Sequence, residues 1–160
     1  MARQELADLI KDRRIETVVR DPAQVALLRE QSKAHLASSR MIGHTDVAGA
    51  FSLAYDSIRK ELTALLLDHG FRAKSAGSHA ATGLAAARLL KGFDTQTFEW
   101  LRLVRNATEY GSDKRPGATL QDVEDAWEFA AELRELMDQV TPSQQGSARA
   151  TPASPRPQER

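Results

Sequence analysis

The chain of 160 residues has no cysteine. That excludes disulfides, thiolate nucleophiles and cysteine-ligated metal, and it fits a reducing compartment. Neither sign of charge prevails, with 22 Lys+Arg against 22 Asp+Glu. No global field therefore draws the chain to a polyanion, which would have to be gripped by a local patch. No run approaches the roughly 20 apolar residues that span a bilayer. The start, MARQELADLIKDRR, alternates charges with apolar residues and lacks the apolar core of a signal peptide. A soluble, cytoplasmic protein with no membrane contact is expected. P-loop, dinucleotide and EF-hand patterns are missing, and His35, His69 and His79 lack metal-ligand spacing. No cofactor and no metal are expected. Internal repeats and β-type alternation of useful length are missing too, and aromatic residues make up only 6%. Phe98, Trp100, Trp127 and Phe129 recur at helical spacing and read as core or interface rather than as a base-stacking platform.

What remains is helix. The length suits one domain with a single substantial core. Residues 1–20 form an N-terminal extension, helical and amphipathic from Gln4 to about Val19. Asp21-Pro22 supplies an N-cap followed by proline at the first helical position. It opens a helix to about Ile42 in which Val25, Leu28, Ser32, His35, Ser39 and Ile42 recur three and four residues apart, and Gly43 ends it. Thr45 or Asp46 caps the next helix, whose seam is Val47, Phe51, Ala54, Ile58, Leu62 and Leu65. His69-Gly70 is its stop. A linker from Phe71 to Gly77 leads to a short alanine-rich helix from Ser78 through Leu90. Asp94 or Thr95 opens another helix that Gly111 closes. Thr119 caps a last helix with a seam of Leu120, Val123, Trp127, Ala130, Leu133, Met137 and Val140. Short loops between long seams predict an all-α fold, an up-and-down antiparallel bundle of five to six helices over residues 21–140. Residues 141–160 hold four of the six prolines and no large apolar side chain, so they are expected to be a disordered, mildly basic tail.

One segment points to chemistry: Leu101-Arg102-Leu103-Val104-Arg105-Asn106-Ala107-Thr108-Glu109-Tyr110-Gly111. An arginine with a polar partner on a core-packed helix is costly unless paired or functional. Arg105 and Glu109 are four residues apart and can pair on one face. Arg102 lies near both, so Arg102, Arg105 and Glu109 form a constellation. Tyr110 lies about 140° around the helix from Arg105 and roughly 7.5 Å along it, and reaches the arginine only if the helix frays at Gly111. The loop before the alanine-rich helix carries Arg72 and Lys74, with His79 in the first helical turn, where anions are attracted. These three can hold a phosphate if the loop folds toward Arg105. The alternatives are a structural polar cluster at a helix or dimer interface for the first group, and an ordinary solvated loop for the second. Asn106 can equally tie down a neighbouring loop.

The helix Ala50–Leu62, the basic loop Arg72–His79 and the late Arg105-Asn106 helix, in that order, resemble HEPN domains (higher eukaryotes and prokaryotes nucleotide-binding). The likeness covers about residues 22–138 and is closest to small prokaryotic stand-alone members that end in Arg-Asn-x-x-Glu-Tyr. It implies a HEPN-like helical bundle, commonly a homodimer, in a toxin–antitoxin or phage-defence setting. It implies RNA, an antitoxin or a nucleotidyltransferase as partner. Many members are metal-independent endoribonucleases with a composite dimer site, in which an arginine is followed by a histidine. One group takes the 2′-hydroxyl proton, another protonates the leaving oxygen, and arginine stabilises the phosphorane.

Carried over, the catalytic positions are Arg105 and Tyr110, with the tyrosine where the histidine belongs. Arg102, Asn106, Arg72, Lys74 and His79 are the RNA- or phosphate-binding candidates, and Glu109 belongs to the polar cluster. Tyrosine has a reference pKa near 10 and is a poor base at neutral pH. The expectation is therefore binding of RNA or a protein partner with catalysis weak or lost. The alternatives are an active ribonuclease using Tyr110 or His79, and a purely structural interaction module.

Overall fold

The computed structural model describes residues 2–74, 78–111 and 117–140. Its helices are α1 (Ala2–Glu5), α2 (Ala7–Lys11), α3 (Pro22–Ile42), α4 (Val47–Asp68), α5 (Ser78–Leu89), α6 (Thr95–Tyr110) and α7 (Leu120–Val140). Two strands, β1 (Ile15–Thr17) and β2 (Phe71–Ala73), pair antiparallel with Glu16 opposite Arg72. The fold is an all-α bundle carrying this one small sheet. The tail from 141 and most of the polar loop at 112–116 lie outside the described residues.

Local chemistry starts the long helices. Asp21 accepts hydrogen bonds from the N–H groups of Ala23 at 3.0 Å and Gln24 at 3.2 Å, with Pro22 in the first turn. Asp46 accepts from Gly49 N–H at 2.8 Å, and Asp94 from Thr97 N–H at 3.0 Å. Asp46 and Asp94 are thus the caps, rather than Thr45 and Thr95. At α7, Asp122 accepts from Thr119 N–H at 2.9 Å while its own N–H donates to Thr119 Oγ1 at 3.2 Å. This reciprocal capping box satisfies two orphan donors at once. Gly70 (φ 80°) and Gly111 (φ 58°) take left-handed conformations past their helices, where glycine has no steric cost. Gly43 is different: its backbone is right-handed helical. It still follows the last residue of α3 as its C-cap, and a Cβ there would lie 2.7 Å from the Trp127 ring, so the glycine also serves a close approach.

The core forms around α4, which packs on α3, α5, α6 and α7. The α4 seam of Phe51, Ala54, Ile58, Leu62 and Leu65 is buried against Leu101, Val104, Val123, Phe129, Ala130 and Leu133. Serines stitch α3 to α4 inside that core. Ser32 Oγ donates to the Ser57 carbonyl at 2.8 Å, Ser57 Oγ to the Ser32 carbonyl at 2.7 Å, and Ser39 Oγ to the Ala50 carbonyl at 2.6 Å. Small side chains let the backbones approach, and every buried hydroxyl is matched. Glu61, 3% exposed, takes Arg29 Nε at 3.1 Å and Arg134 Nη2 at 3.4 Å, which ties α3, α4 and α7 together.

Two expectations need correction. The helix predicted from Gln4 to about Val19 is instead two short helices followed by β1, and the linker after Gly70 begins with β2. Leu6, Leu9 and Ile15 are buried with Leu66, Phe71, Ala81 and Ala85 in a second apolar cluster. The N-terminal residues therefore cover one flank of α4 and α5, and β1 fixes the base of the Arg72–Lys74 segment.

Candidate functional site

Tyr55 is the anchor of the site. Its ring is 2% exposed and stacks with Phe51 at 6.4 Å and Phe98 at 6.3 Å between centroids. Only the hydroxyl finds a polar neighbour, His79 Nδ1 at 3.0 Å, and the imidazole stacks on the phenol at 5.7 Å. Burial pushes the Tyr55 hydroxyl up to about 12, against the opposing pull of Arg105, Arg102 and Arg59. It stays protonated at neutral pH. His79 moves the other way. Burial, then the charges of Arg105, Arg59 and Arg102, push its imidazole below the ordinary value, with Asp56 opposing. The ring is accordingly neutral near pH 7. Tyr55 O–H donates to Nδ1 when the ring proton sits on Nε2. In the other tautomer Nδ1–H donates to the phenol oxygen and Nε2 is free to accept a proton.

Asp56 follows Tyr55 directly on α4, and Arg59 lies one turn on. Arg59 donates to Asp56 Oδ1 through Nε at 3.1 Å and Nη2 at 2.5 Å. Lys60 Nζ is 3.7 Å from Oδ2. His35 Nδ1 is 2.7 Å from Oδ2, within ion-pair range but off the direction of a hydrogen bond. Burial alone would raise the Asp56 carboxyl. The Arg59 hydrogen bond and the charges of Arg59, Lys60 and His35 outweigh it and hold the group below the ordinary carboxylate value.

From α6, Arg105 and Glu109 close the opposite wall. With Ser52, Leu53, Tyr55, Asp56, Arg59 and His79 they line a cavity of about 290 Å³. The pairing expected between Arg105 and Glu109 is not made: Arg105 has no ion pair or hydrogen bond among the described residues. Its guanidinium faces the cavity with its donors uncommitted. Beside this cavity lies a second cleft of about 570 Å³ that includes Glu16, Arg59, Thr63, Arg72, Lys74, Ser78 and His79. Arg59 and His79 line both, so they stand on the shared wall.

The sequence-derived candidates divide accordingly. His79, Arg105 and Glu109 meet in the first cavity, and Arg72 and Lys74 meet His79 in the second. Arg72 is engaged, donating to Glu16 Oε1 through Nε at 2.9 Å and Nη2 at 2.6 Å. Arg102 departs from the expected constellation: it pairs with Glu99 at 2.9 Å, one turn back, and lines neither cleft. The Asn106 side chain is half-buried and bonds no described residue, so the tie to a neighbouring loop is not made among them. Tyr110 keeps its helical place, with Gly111 N–H bonded to the Ala107 carbonyl at 3.0 Å. The helix does not fray toward Arg105, and the Tyr110 ring is 78% exposed outside both clefts. The imidazole that shares a cavity with Arg105 is that of His79, from α5.

Tyr55, Asp56 and Arg59 were not among the sequence candidates. A signal existed: Ser52, Tyr55, Asp56 and Arg59 recur at helical spacing beside the apolar seam, a polar stripe on a half-buried helix. A larger groove of about 640 Å³ between α3, α4 and α7 holds Arg29, Glu61, Arg134 and Asp138. There Arg29 bonds Glu61 and Asp138, and Arg134 Nη2 bonds Glu61, while Arg134 Nε finds no partner among the described residues. Among the described residues no three His, Asp or Glu side chains are grouped to hold a metal ion, and no helix is long and apolar enough to cross a membrane. Compared with protein-family models, with curated proteins and with solved structures, the chain has no match.

Proposed function

We propose that the chain is a HEPN-type RNA-binding protein of a toxin–antitoxin or phage-defence-like system, working as a homodimer. In this reading an RNA phosphodiester enters the cavity between α4, α5 and α6. The observation that carries the proposal is Arg105: an arginine with no acceptor among the described residues, on a half-buried wall, beside a neutral imidazole. Guanidinium forks suit phosphate oxygens bidentately, and a phosphate supplies the acceptors that Arg105 lacks. Arg59 is prepaid with Asp56 and offers a second positive charge on the same wall.

Binding is favoured over turnover by the protonation states. Cleavage through a 2′-hydroxyl needs one group to take that proton and another to give one to the leaving oxygen. Tyr55, at about 12, is held protonated and Asp56 is held ionised. His79, lowered by burial and by the nearby guanidinium charges, is the one neutral imidazole among them. A slow ribonuclease is the second reading, and the His79–Tyr55 bond favours it specifically. Nε2 would take the 2′-hydroxyl proton, the oxygen would attack phosphorus, and the P–O5′ bond would break as O5′ gains a proton from solvent. Arg105 would stabilise the phosphorane.

The test is fluorescence-anisotropy binding of labelled RNA by wild type and Arg105→Ala. Loss of one charge-assisted contact is expected to weaken binding about tenfold, with Arg105→Lys falling between. Equal affinities for Arg105→Ala and wild type would overturn the reading and leave a structural interaction module. Sedimentation at the binding concentration is expected to give a dimer. Incubating the same RNA with excess protein in EDTA decides turnover: cleavage lost in His79→Ala would establish the ribonuclease, and intact RNA would remove it.

A further inference from the structure

Each of the two clefts that meet at Arg59 and His79 holds a cation with no partner among the described residues. In the α4–α5–α6 cavity it is Arg105. In the second cleft it is Lys74, whose backbone N–H is fixed to the Arg14 carbonyl at 3.0 Å and whose ammonium has no ion pair among the described residues. At the second cleft Glu16 offsets Arg72 and Asp56 offsets Arg59, which leaves Lys74 as the net positive charge, in a chain whose charges balance overall. It is a local excess of positive charge with a rigid base, because β1 and β2 hold Arg72 opposite Glu16. A mononucleotide phosphate at Arg105 would leave this excess unanswered.

We infer that the second cleft is a separate phosphate subsite. The ligand is then a single RNA strand that lays one phosphate against Arg105 and another against Lys74, crossing the wall formed by Arg59 and His79. The inference rests on the reading of the Arg105 cavity as an RNA site and adds a length requirement to it. One phosphate fills one cleft; two or more are needed to engage both. Arg72 positions the subsite through its bond to Glu16 and contributes charge, while Lys74 makes the direct contact. A flexible ammonium tolerates varied phosphate geometry where a guanidinium fork demands one, so the second subsite binds strand without fixing register. Arg105 supplies the directional contact.

The experiment uses the full chain and fluorescently labelled, 2′-O-methylated oligoribonucleotides, which cannot be cleaved through the 2′ oxygen. A dinucleotide with one phosphate and a decamer are titrated at several salt concentrations with wild type, Lys74→Ala, Lys74→Arg and Arg105→Ala. Lys74→Ala is expected to weaken the decamer about tenfold and to lower its salt slope by about 0.7, the value of one lost single-strand phosphate contact. The dinucleotide affinity should not change, and Lys74→Arg should retain decamer binding. If Arg105→Ala weakens the decamer while Lys74→Ala leaves affinity and slope unchanged, the second subsite is overturned and the Arg105 site stands. Equal weakening of dinucleotide and decamer by Lys74→Ala would also overturn it, by showing a diffuse charge effect. Indifference of the decamer to Arg105→Ala would instead remove the reading on which the inference depends.

Discussion

His79 is held by a hydroxyl that does not ionise near neutrality and is surrounded by guanidinium groups that disfavour its charged form. The first fact comes from burial of Tyr55, and the second adds the charges of Arg105, Arg59 and Arg102 to the larger effect of burying the imidazole itself. The imidazole should therefore titrate below pH 6.5, and Arg105→Met should move its midpoint up by removing a repelling charge, as followed by its ring proton resonances in NMR. A bound phosphate should move it up as well. Linkage gives the sign for stability. With the folded value depressed, the unfolded chain binds more protons between that value and about 6.5, so stability rises with pH across this window. The contribution is complete above 6.5 and is lost as pH falls through the folded value. Asp56 follows the same sign from its own lowered value, losing its contribution only as pH falls below about 3.8. At this scale Arg105 was legible in the sequence, because an arginine after an apolar run is conspicuous. Its partners were not, since His79, Tyr55 and Asp56 reach it from other helices.

Elements were legible where their signals are local. Caps act on N–H groups two or three residues away, so Asp21 and Thr119 could be read directly and Asp46 and Asp94 narrowed to one of two residues, while the structure adds Asp122 as the reciprocal partner of Thr119. The sheet could not be read that way. Ile15–Thr17 and Phe71–Ala73 are too short to show alternation, and each is a strand only because the other lies beside it. Glycines divide along the same line. Gly111 marks a turn that its left-handed backbone requires, whereas Gly43 and Gly83 are explained by neighbours distant in sequence. A Cβ at Gly43 would lie 2.7 Å from Trp127, and one at Gly83 would lie 2.6 Å from Phe98 Cδ1. Both rings are anchored: Trp127 Nε1 donates to Ser39 Oγ at 2.7 Å, and Phe98 stacks on Tyr55 and Phe129. Helix propensity alone would make Gly83→Ala stabilising by about 1 kcal/mol, and the right-handed helical backbone of Gly43 would by itself accept alanine. Overpacking of about 1–3 kcal/mol opposes that gain. Chemical denaturation is expected to show both variants less stable than wild type. A rise in stability would mean the rings yield.

For the whole molecule the decisive contacts join elements far apart in the chain. Glu61 bridges Arg29 and Arg134, and Arg29 also bonds Asp138 at 2.9 Å, so one carboxylate on the central helix holds two others. Removing one partner of a buried pair costs about 3 kcal/mol. Glu61→Ala should lose about that much in urea unfolding, and a loss below about 1 kcal/mol would show the arginines relaxing into water. The seams and the places of the caps were legible in the sequence, because periodicity and capping are short-range properties of the chain. The all-α class follows from them. What tertiary structure alone decided is the site. Only the packing of α5 and α6 against α4 puts His79 on Tyr55 and Arg105 across from Arg59, and only the β1–β2 pair places Arg72 and Lys74 in the adjoining cleft. The same packing leaves Tyr110 on the outside. Burial and the approach of distant charges set the protonation of Tyr55, Asp56 and His79, and neither is a property of any residue by itself.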